Sequence, residues 1–341
     1  MTSTSPSYSP KPQRRSLIAF TLATTLLAAC APELPTVAEP AEKVSIPSLT
    51  TTLGTEIAAT TGTVLDAGDA KKDSKLLEER LTGPALKLRN AEYKIATAQK
   101  EDKSITELPA QMQSFFMTTT NSWPRTMFSV SQRPQNLQPE RLMVYTQADA
   151  RSDYKLWAYL ALFPSISVPT FPVAEVGTDE ITAADESLQS APSKVLDDYV
   201  ALLTDSKAEN KAKFDVEKDK FFSELAERRK YLREAAKQIE GTYKETFAVG
   251  DEWHALRTLD GGAVVVGTIE TSATLKGEKG AVISPSAIEK AFLAKDAKVK
   301  NQLTVNRTAV VAIYIPAKDN TEAKPTAIGR TMITTGASVP K

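Results

Sequence analysis

Apolar residues recur at helical spacing over residues 49–99, the part of the chain that follows the N-terminal segment. Leu49, Leu53, Ile57 and Val64 form one stripe, and a second stripe of the same spacing continues to residue 95. Such spacing is typical of amphipathic helices. Because proline fits the first turn of a helix but not its interior, Gly83-Pro84 predicts that a second helix begins there. The pattern predicts helices over residues 49–99.

The next part of the chain has β character. Aromatic and β-branched residues are concentrated in three runs that are separated by proline or polar residues, a pattern typical of strands. These runs are residues 125–131, 141–147 and 154–163. In the third run both alternating faces are apolar, which predicts a central strand covered on both sides, with Trp157 in the core.

The second half repeats this order of helices followed by strands. Residues 164–192 contain several prolines and polar residues, and we interpret them as a loop and linker. Helices are predicted over residues 193–204 and along the apolar stripe from Phe221 to Tyr243. Asp260-Gly261-Gly262 is a credible hairpin turn. The predicted strands are 253–259, 262–275, 303–316 and 326–338.

Two blocks of helices followed by strands predict an α+β fold with two tandem domains. Within each domain we expect helices packed on an antiparallel sheet, with a cystatin-like or nuclear-transport-factor-2-like shape as the favoured architecture. The predicted segments are a signal peptide at 1–29, a tether at 30–48, a first domain at 49–178, a linker at 179–192 and a second domain at 193–341.

The N-terminus has the anatomy of an export signal. Arg14 and Arg15 precede an apolar run that ends at Ala29, and this run is shorter than the roughly 20 residues that a membrane-spanning helix needs. Leu27-Ala28-Ala29-Cys30 resembles the lipobox of bacterial lipoproteins, in which the thiol receives diacylglycerol and becomes the first mature residue. Cys30 is therefore the predicted lipid-attachment site. The arginine pair leaves both the general secretory and the twin-arginine routes open.

Charge and cysteine content narrow the function classes. The chain has 42 basic and 42 acidic residues, and removing residues 1–29 leaves 39 basic residues against 42 acidic ones. A near-neutral chain lacks the electrostatic signature of nucleic-acid binding. Because Cys30 is the only cysteine, no internal disulfide can form. We therefore expect a domain stabilised by burial of its apolar core.

Candidate chemistry is sparse. His254 is the only histidine, so the usual catalytic pairs of a nucleophile and a histidine base can hardly form. A structural role for His254 is favoured. Ser152-Asp153-Tyr154-Lys155 fits a Ser-x-x-Lys pattern but lacks the motifs that accompany it in penicillin-binding enzymes. Four glutamates alternate with lysine and arginine at helical spacing, as on a solvated helix face: Glu217, Glu224, Glu227 and Glu234. The sequence predicts no catalytic, cofactor-binding or metal-binding residue.

Several short segments resemble a family of actinobacterial surface lipoproteins with a domain of unknown function. They are distributed in order over residues 75–340, and the resemblance therefore spans both predicted domains. It implies export and lipid anchoring, and it carries no activity or catalytic residue with it. The segments are Arg80–Leu86, Arg89–Tyr93, Ser122–Arg125, Tyr154–Trp157, Leu162–Pro164, Ala191–Leu196 and Arg257–Gly262.

Together these features predict an extracytoplasmic protein held on the outer face of the cell membrane through lipid on Cys30. The favoured function is a non-enzymatic binding or scaffolding module. The alternative is a carrier or chaperone for an exported peptide or an apolar ligand, and a cell-envelope hydrolase comes third. A cell-envelope protein or an apolar ligand is the expected partner.

Overall fold

A computed structural model describes residues 46–134, 138–164 and 166–340. The predicted signal peptide, most of the predicted tether and Cys30 lie outside the described residues. The helices in the described part are α1 (Thr51–Lys71), α2 (Gly83–Gln99), α3 (Pro192–Thr204), α4 (Ala208–Lys211), α5 (Lys220–Gln238) and α6 (Ala287–Lys290). The strands are β1 (Met112–Met117), β2 (Arg125–Ser131), β3 (Arg141–Gln147), β4 (Lys155–Leu162), β5 (Thr242–Arg257), β6 (Ala263–Lys276), β7 (Gln302–Ile315) and β8 (Thr326–Ser338).

The eight strands of the described residues form one antiparallel half-barrel sheet, in the order β1-β2-β3-β4-β8-β7-β6-β5. The prediction of two tandem helices-then-sheet domains, and with it the cystatin-like or nuclear-transport-factor-2-like shape, is therefore wrong. The two predicted blocks are joined by β4 and β8, where Ala161 pairs with Arg330 and Leu162 pairs with Gly329. Strand β4 lies between β3 and β8 and is buried along most of its length, so it is an inner strand of one continuous sheet.

The sheet is covered on both faces by helices. Side chains alternate along β6, so Val264 and Val266 face one cluster and Val265 and Ile269 face the other. The first cluster contains residues of α1, α2 and β1–β4, and the second contains residues of α3 and α5. The first cluster joins Trp157 of β4 to residues of β5, β6 and β7, so the two predicted blocks share one core.

Most predicted elements are present with shifted ends. Strands β2 and β3 have the predicted limits, and Trp157 is buried in β4 with 2% of its surface exposed. The long helix was predicted to reach Tyr243, but α5 ends at Gln238 and Tyr243 lies in β5. Strand β1 was not predicted. Its six residues are too short a run to give a clear alternating pattern.

A buried ion network connects the helices to the segment that precedes β1. Arg89 and Glu92 of α2 are both almost completely buried, and the Arg89 Nη1 donates to Glu92 Oε2 at 2.9 Å and to the carbonyl oxygen of Thr106 at 2.7 Å. The Thr106 hydroxyl donates to the second oxygen of Glu92 at 2.5 Å. Buried charges need such partners, because burial of an unpaired charge is costly.

No helix among the described residues is long and apolar enough to cross a membrane.

Candidate functional site

A groove with a volume of about 810 Å³ lies along β1. Residues 112–116 of β1 form its floor, and two walls rise beside that strand. One wall is the first turn of α1, with Thr51 and Thr55. The other is the segment of residues 166–175 within the region that was predicted to be a linker. The groove therefore follows an edge of the sheet.

Strand β1 is an edge strand, and part of its outer edge is free. Backbone groups alternate in direction along an antiparallel strand, so every second residue faces away from the neighbouring strand. The Met117 carbonyl faces outward, because it accepts from the Thr178 amide at 2.8 Å. The same alternation directs the N–H and C=O of Phe115 outward. Among the described residues, no backbone hydrogen bond from outside the sheet reaches Phe115.

The wall made by residues 166–175 is apolar where it meets β1. Phe116 stacks on Phe171 with 4.1 Å between ring centroids and 22° between ring planes. Ile166 and Val168 line the same wall. An apolar side chain that entered the groove here would gain stabilisation by leaving water, at roughly 25 cal/mol per Å² of buried apolar surface.

The opposite wall depends on a close approach between α1 and β1. A methyl group at Gly54 would lie 2.8 Å from the Met117 side chain and 3.2 Å from the Phe115 ring. Thr50 accepts a hydrogen bond from the Leu53 amide at 3.3 Å and so caps the start of this helix. The cap and the missing side chain together hold the first turn of α1 beside the strand edge.

The two ends of the groove differ in polarity. At the start of β1 an ion pair between Arg133 and Glu140, with 2.9 Å between Nε and Oε1, contributes to the lining. Hydrogen bonds from the Glu140 backbone amide and from Arg133 lower the pKa of Glu140, so the carboxylate stays charged. At the end of β1, Thr178 bonds to the strand on its outer edge, and the Ser48 amide donates to the Thr118 carbonyl at 2.7 Å. The free edge is therefore bounded at that end.

His254 occupies a second candidate site, in a cleft of about 650 Å³ that Trp123 and Glu180 also line. Its Nδ1 lies 3.6 Å from a Glu180 oxygen, and its Nε2 lies 3.3 Å from a Glu252 oxygen. The Thr126 hydroxyl donates to Glu180 at 2.6 Å and lies 3.2 Å from His254 Nδ1. Because the single hydroxyl proton is directed to Glu180, Nδ1 is the donor toward Thr126.

This arrangement favours a structural role for His254. Burial alone lowers the pKa of His254, but the hydrogen-bonding and negative charge of Glu180 and Glu252 outweigh it and raise the pKa above the ordinary 6.5. A general base would instead need to accept the proton of a nucleophile that a substrate can reach. Thr126 is fully buried and already donates elsewhere. Within the described residues no cluster of three or more metal ligands is present.

The Ser152–Lys155 segment and the glutamates of the long helix make separate contacts instead of forming a site. Ser152 donates to Asp149 at 2.6 Å and Lys155 donates to the Glu78 carbonyl at 2.6 Å, so this pair does not form a nucleophile–base unit. On α5, Glu224 pairs with Arg330, and Glu234 pairs with Lys237 at 2.8 Å. Glu224 and Glu234 are exposed, as predicted, but the partner of Glu224 lies in β8, and Glu217 precedes the start of α5.

Sequence reasoning missed the groove because its parts give weak signals. Strand β1 is short, and residues 166–175 have no regular structure. One sequence feature does stand out: Phe171-Pro172-Val173 places large apolar residues in a proline-rich segment, where a flexible linker needs none. Val173 is 63% exposed and lines the groove.

Comparison with known proteins gives a family but no function. No curated protein and no solved structure matches this chain. The family described as "Domain of unknown function (DUF8094)" matches residues 62–338, which include β1, the segment of residues 166–175 and all later strands. Because the match covers most of the sequence, the chain belongs to the DUF8094 family.

Proposed function

We propose that this protein is a binding module that takes an extended peptide segment of another protein along the free edge of β1. The observation that carries the proposal is the groove itself, in which outward backbone groups of β1 lie between two walls. Extended peptides bind such edges by adding a strand, with main-chain hydrogen bonds for affinity and side-chain pockets for specificity. This is the binding role expected from the sequence, with a peptide as the partner.

The two walls give the bound peptide alternating environments. Side chains of an added strand point alternately to the two faces of the sheet. One set would contact Phe116 and Phe171, and the other would contact the first turn of α1 at Thr51 and Thr55. The preferred peptide is therefore apolar at every second position, with small or polar residues between.

The cellular setting belongs to the same proposal. The Leu27-Ala28-Ala29-Cys30 sequence supports export, with lipid on Cys30 holding the protein on the outer face of the membrane. The partner would then be an exported or cell-envelope protein. Cys30→Ser is expected to remove the protein from the membrane fraction. Normal processing and retention of this variant would contradict the anchor.

Peptide binding is tested by blocking the groove. Peptides are selected from a displayed library of random decapeptides on the wild-type protein, and their affinities are measured by fluorescence anisotropy. Thr55→Trp is expected to weaken binding at least tenfold, because an indole on α1 would fill the groove. Thr63→Trp is the matched control, since Thr63 is also exposed on α1 and bonds to the carbonyl four residues earlier, as Thr55 does.

A second variant tests the strand-addition geometry. Phe115→Pro removes the outward N–H but leaves the bonds from the flanking residues to β2, a position where an edge strand tolerates proline. Phe115→Ala loses the same ring and keeps the N–H. We expect the selected peptides to bind the alanine variant more tightly than the proline variant. Equal affinity for both variants, or equal binding by Thr55→Trp and Thr63→Trp, would overturn the proposal.

A carrier for an apolar ligand is the second candidate, and the Phe116–Phe171 stack favours it. An apolar ligand needs the walls but no backbone hydrogen bonds. The dye 1-anilinonaphthalene-8-sulfonate would then bind at one site, Thr55→Trp would block it, and Phe115→Pro would bind it as well as Phe115→Ala does.

A further inference from the structure

The second edge of the sheet, β5, is covered along only half of its length. Near its C-terminal end the Arg257 amide donates to the Asp179 carbonyl at 3.0 Å, and the Ile181 amide donates to the Ala255 carbonyl at 2.8 Å. The segment around residue 180 therefore pairs with this half of the outer edge. A β-bulge between Val249 and Trp253 separates it from the other half, residues 242–249.

Residues 242–249 present a regular, unpaired edge. The Gly277 amide donates to the Asn301 carbonyl at 2.8 Å, so odd-numbered residues of β6 face β7 and even-numbered ones face β5. Because Thr242 lies opposite Lys276, the even-numbered residues of this half bond to β6. The outward residues are Tyr243, Glu245, Phe247 and Val249. Among the described residues, no backbone hydrogen bond from outside the sheet reaches these four.

We propose that this half of β5 pairs with the same half of a second copy of the chain, in an antiparallel arrangement with a two-fold axis at Thr246. A two-fold pairing uses the same surface on both copies, so a strand edge that is complementary to itself is sufficient. The two half-barrels would then form one continuous sheet. This dimer surface is separate from the β1 groove and does not depend on its proposed function.

Charge selects the position of the axis. Glu245 pairs with Arg228 and Arg229 of α5, so an axis at Glu245 would bring the four guanidinium groups and two carboxylates of both copies together, which is unfavourable for the like charges. An axis at Thr246 places Glu245 opposite Phe247 of the other copy and Lys244 opposite Ala248 of the other copy. Tyr243 then lies opposite Val249 of the other copy. An axis at Phe247 would shorten the overlap, because the bulge begins after Val249.

The same features stop the assembly at two copies. Long exposed strand edges otherwise promote open-ended association. Two-fold pairing uses the free half of β5 in both copies, and the bulge limits its length. The remaining edge, β1, lies between α1 and residues 166–175, which flank it on both sides.

Engineered cysteines test the register. Both variants are made in the full chain with Cys30→Ser, so the new thiol is the only one. Thr246→Cys is expected to form an intermolecular disulfide in air, because directly opposed residues of a non-hydrogen-bonded pair have Cα atoms about 4.5 Å apart, within disulfide reach. Lys244→Cys is the matched control, since it is exposed on the same strand face but lies four residues, about 13 Å, from its symmetry mate.

Proline substitution tests the backbone pairing. Phe247→Pro removes an outward N–H at the centre of the interface, and Phe247→Ala removes the same ring but keeps the N–H. Sedimentation equilibrium is expected to give twice the chain mass for the wild type and Phe247→Ala, and the single-chain mass for Phe247→Pro. A monomeric wild type, or disulfide formation by Lys244→Cys that equals that of Thr246→Cys, would overturn the proposal. The cysteine result does not depend on how well the proline variant folds.

Discussion

Trp157 links the core of the sheet to the His254 cluster. Its indole is almost completely buried, its Nε1 donates to Glu252 at 2.8 Å, and its ring contacts His254 edge-on at 4.6 Å between centroids. A methyl group at Gly83 would lie 2.7 Å from the same indole, so the start of α2 packs directly on it. One side chain therefore contacts a helix start, a strand and both members of the Glu252–His254 pair.

Trp157→Ala should destabilise the protein by about 3–5 kcal/mol, the usual cost of truncating a large buried aromatic. The free energy of unfolding, measured by urea denaturation, checks this. Trp123→Ala is the control, because Trp123 is 39% exposed and its ring lies under the Arg125 guanidinium at 4.1 Å. A midpoint for Trp157→Ala as close to wild type as that of Trp123→Ala would contradict the buried role.

His254 should make stability depend on pH. Its pKa is raised in the folded protein, so the protonated form stabilises the fold. This contribution is complete below the unfolded pKa of about 6.5 and is lost as the pH rises through the raised folded pKa. The difference in free energy of unfolding between wild type and His254→Gln, measured from about pH 5 to pH 9, should therefore shrink with rising pH. A difference that grows with pH would be inconsistent with a His254 pKa that Glu180 and Glu252 raise.

At the scale of elements, the sequence patterns predicted the presence of most strands and helices, but they placed several of the ends wrongly. Strands β2 and β3 were predicted with the correct limits because aromatic and β-branched residues are dense there. Strand β5 was predicted to start at residue 253, but it starts at Thr242. Its first half alternates exposed and half-buried residues, and its second residue, Tyr243, was placed on the apolar stripe of the preceding helix. Glu245 pairs with Arg229 of that helix at 2.7 Å.

The groove could not be predicted because it depends on contacts between distant residues. Phe116 and Phe171 are far apart in sequence, and no local pattern indicates that their rings stack. The same holds for Gly54, whose missing side chain matters only because β1 lies beneath it. Local periodicity predicts whether a residue is buried. It does not predict which distant residue it contacts, because the order of the strands in the sheet determines that.

At the scale of the whole molecule, the error lay in the connection between the two blocks. Repeated helices followed by strands were interpreted as repeated domains, which is the simplest interpretation when each block can cover its own sheet. Strand β4 instead pairs with β8, and the first core cluster contains residues from both blocks. The helices of the second block cover the opposite face of the shared sheet. Neither block therefore has a complete core by itself.

A shared core predicts a single cooperative unfolding transition. Trp157→Ala in the first block and Leu196→Ala in the second remove fully buried side chains from different clusters, and each should cost a few kcal/mol. In differential scanning calorimetry both variants should lower the same transition, with calorimetric and van't Hoff enthalpies in agreement. Independent domains would give two transitions, each lowered by only one of the variants. That outcome would mean that the contacts between β4 and β8 do not couple the two halves of the sheet.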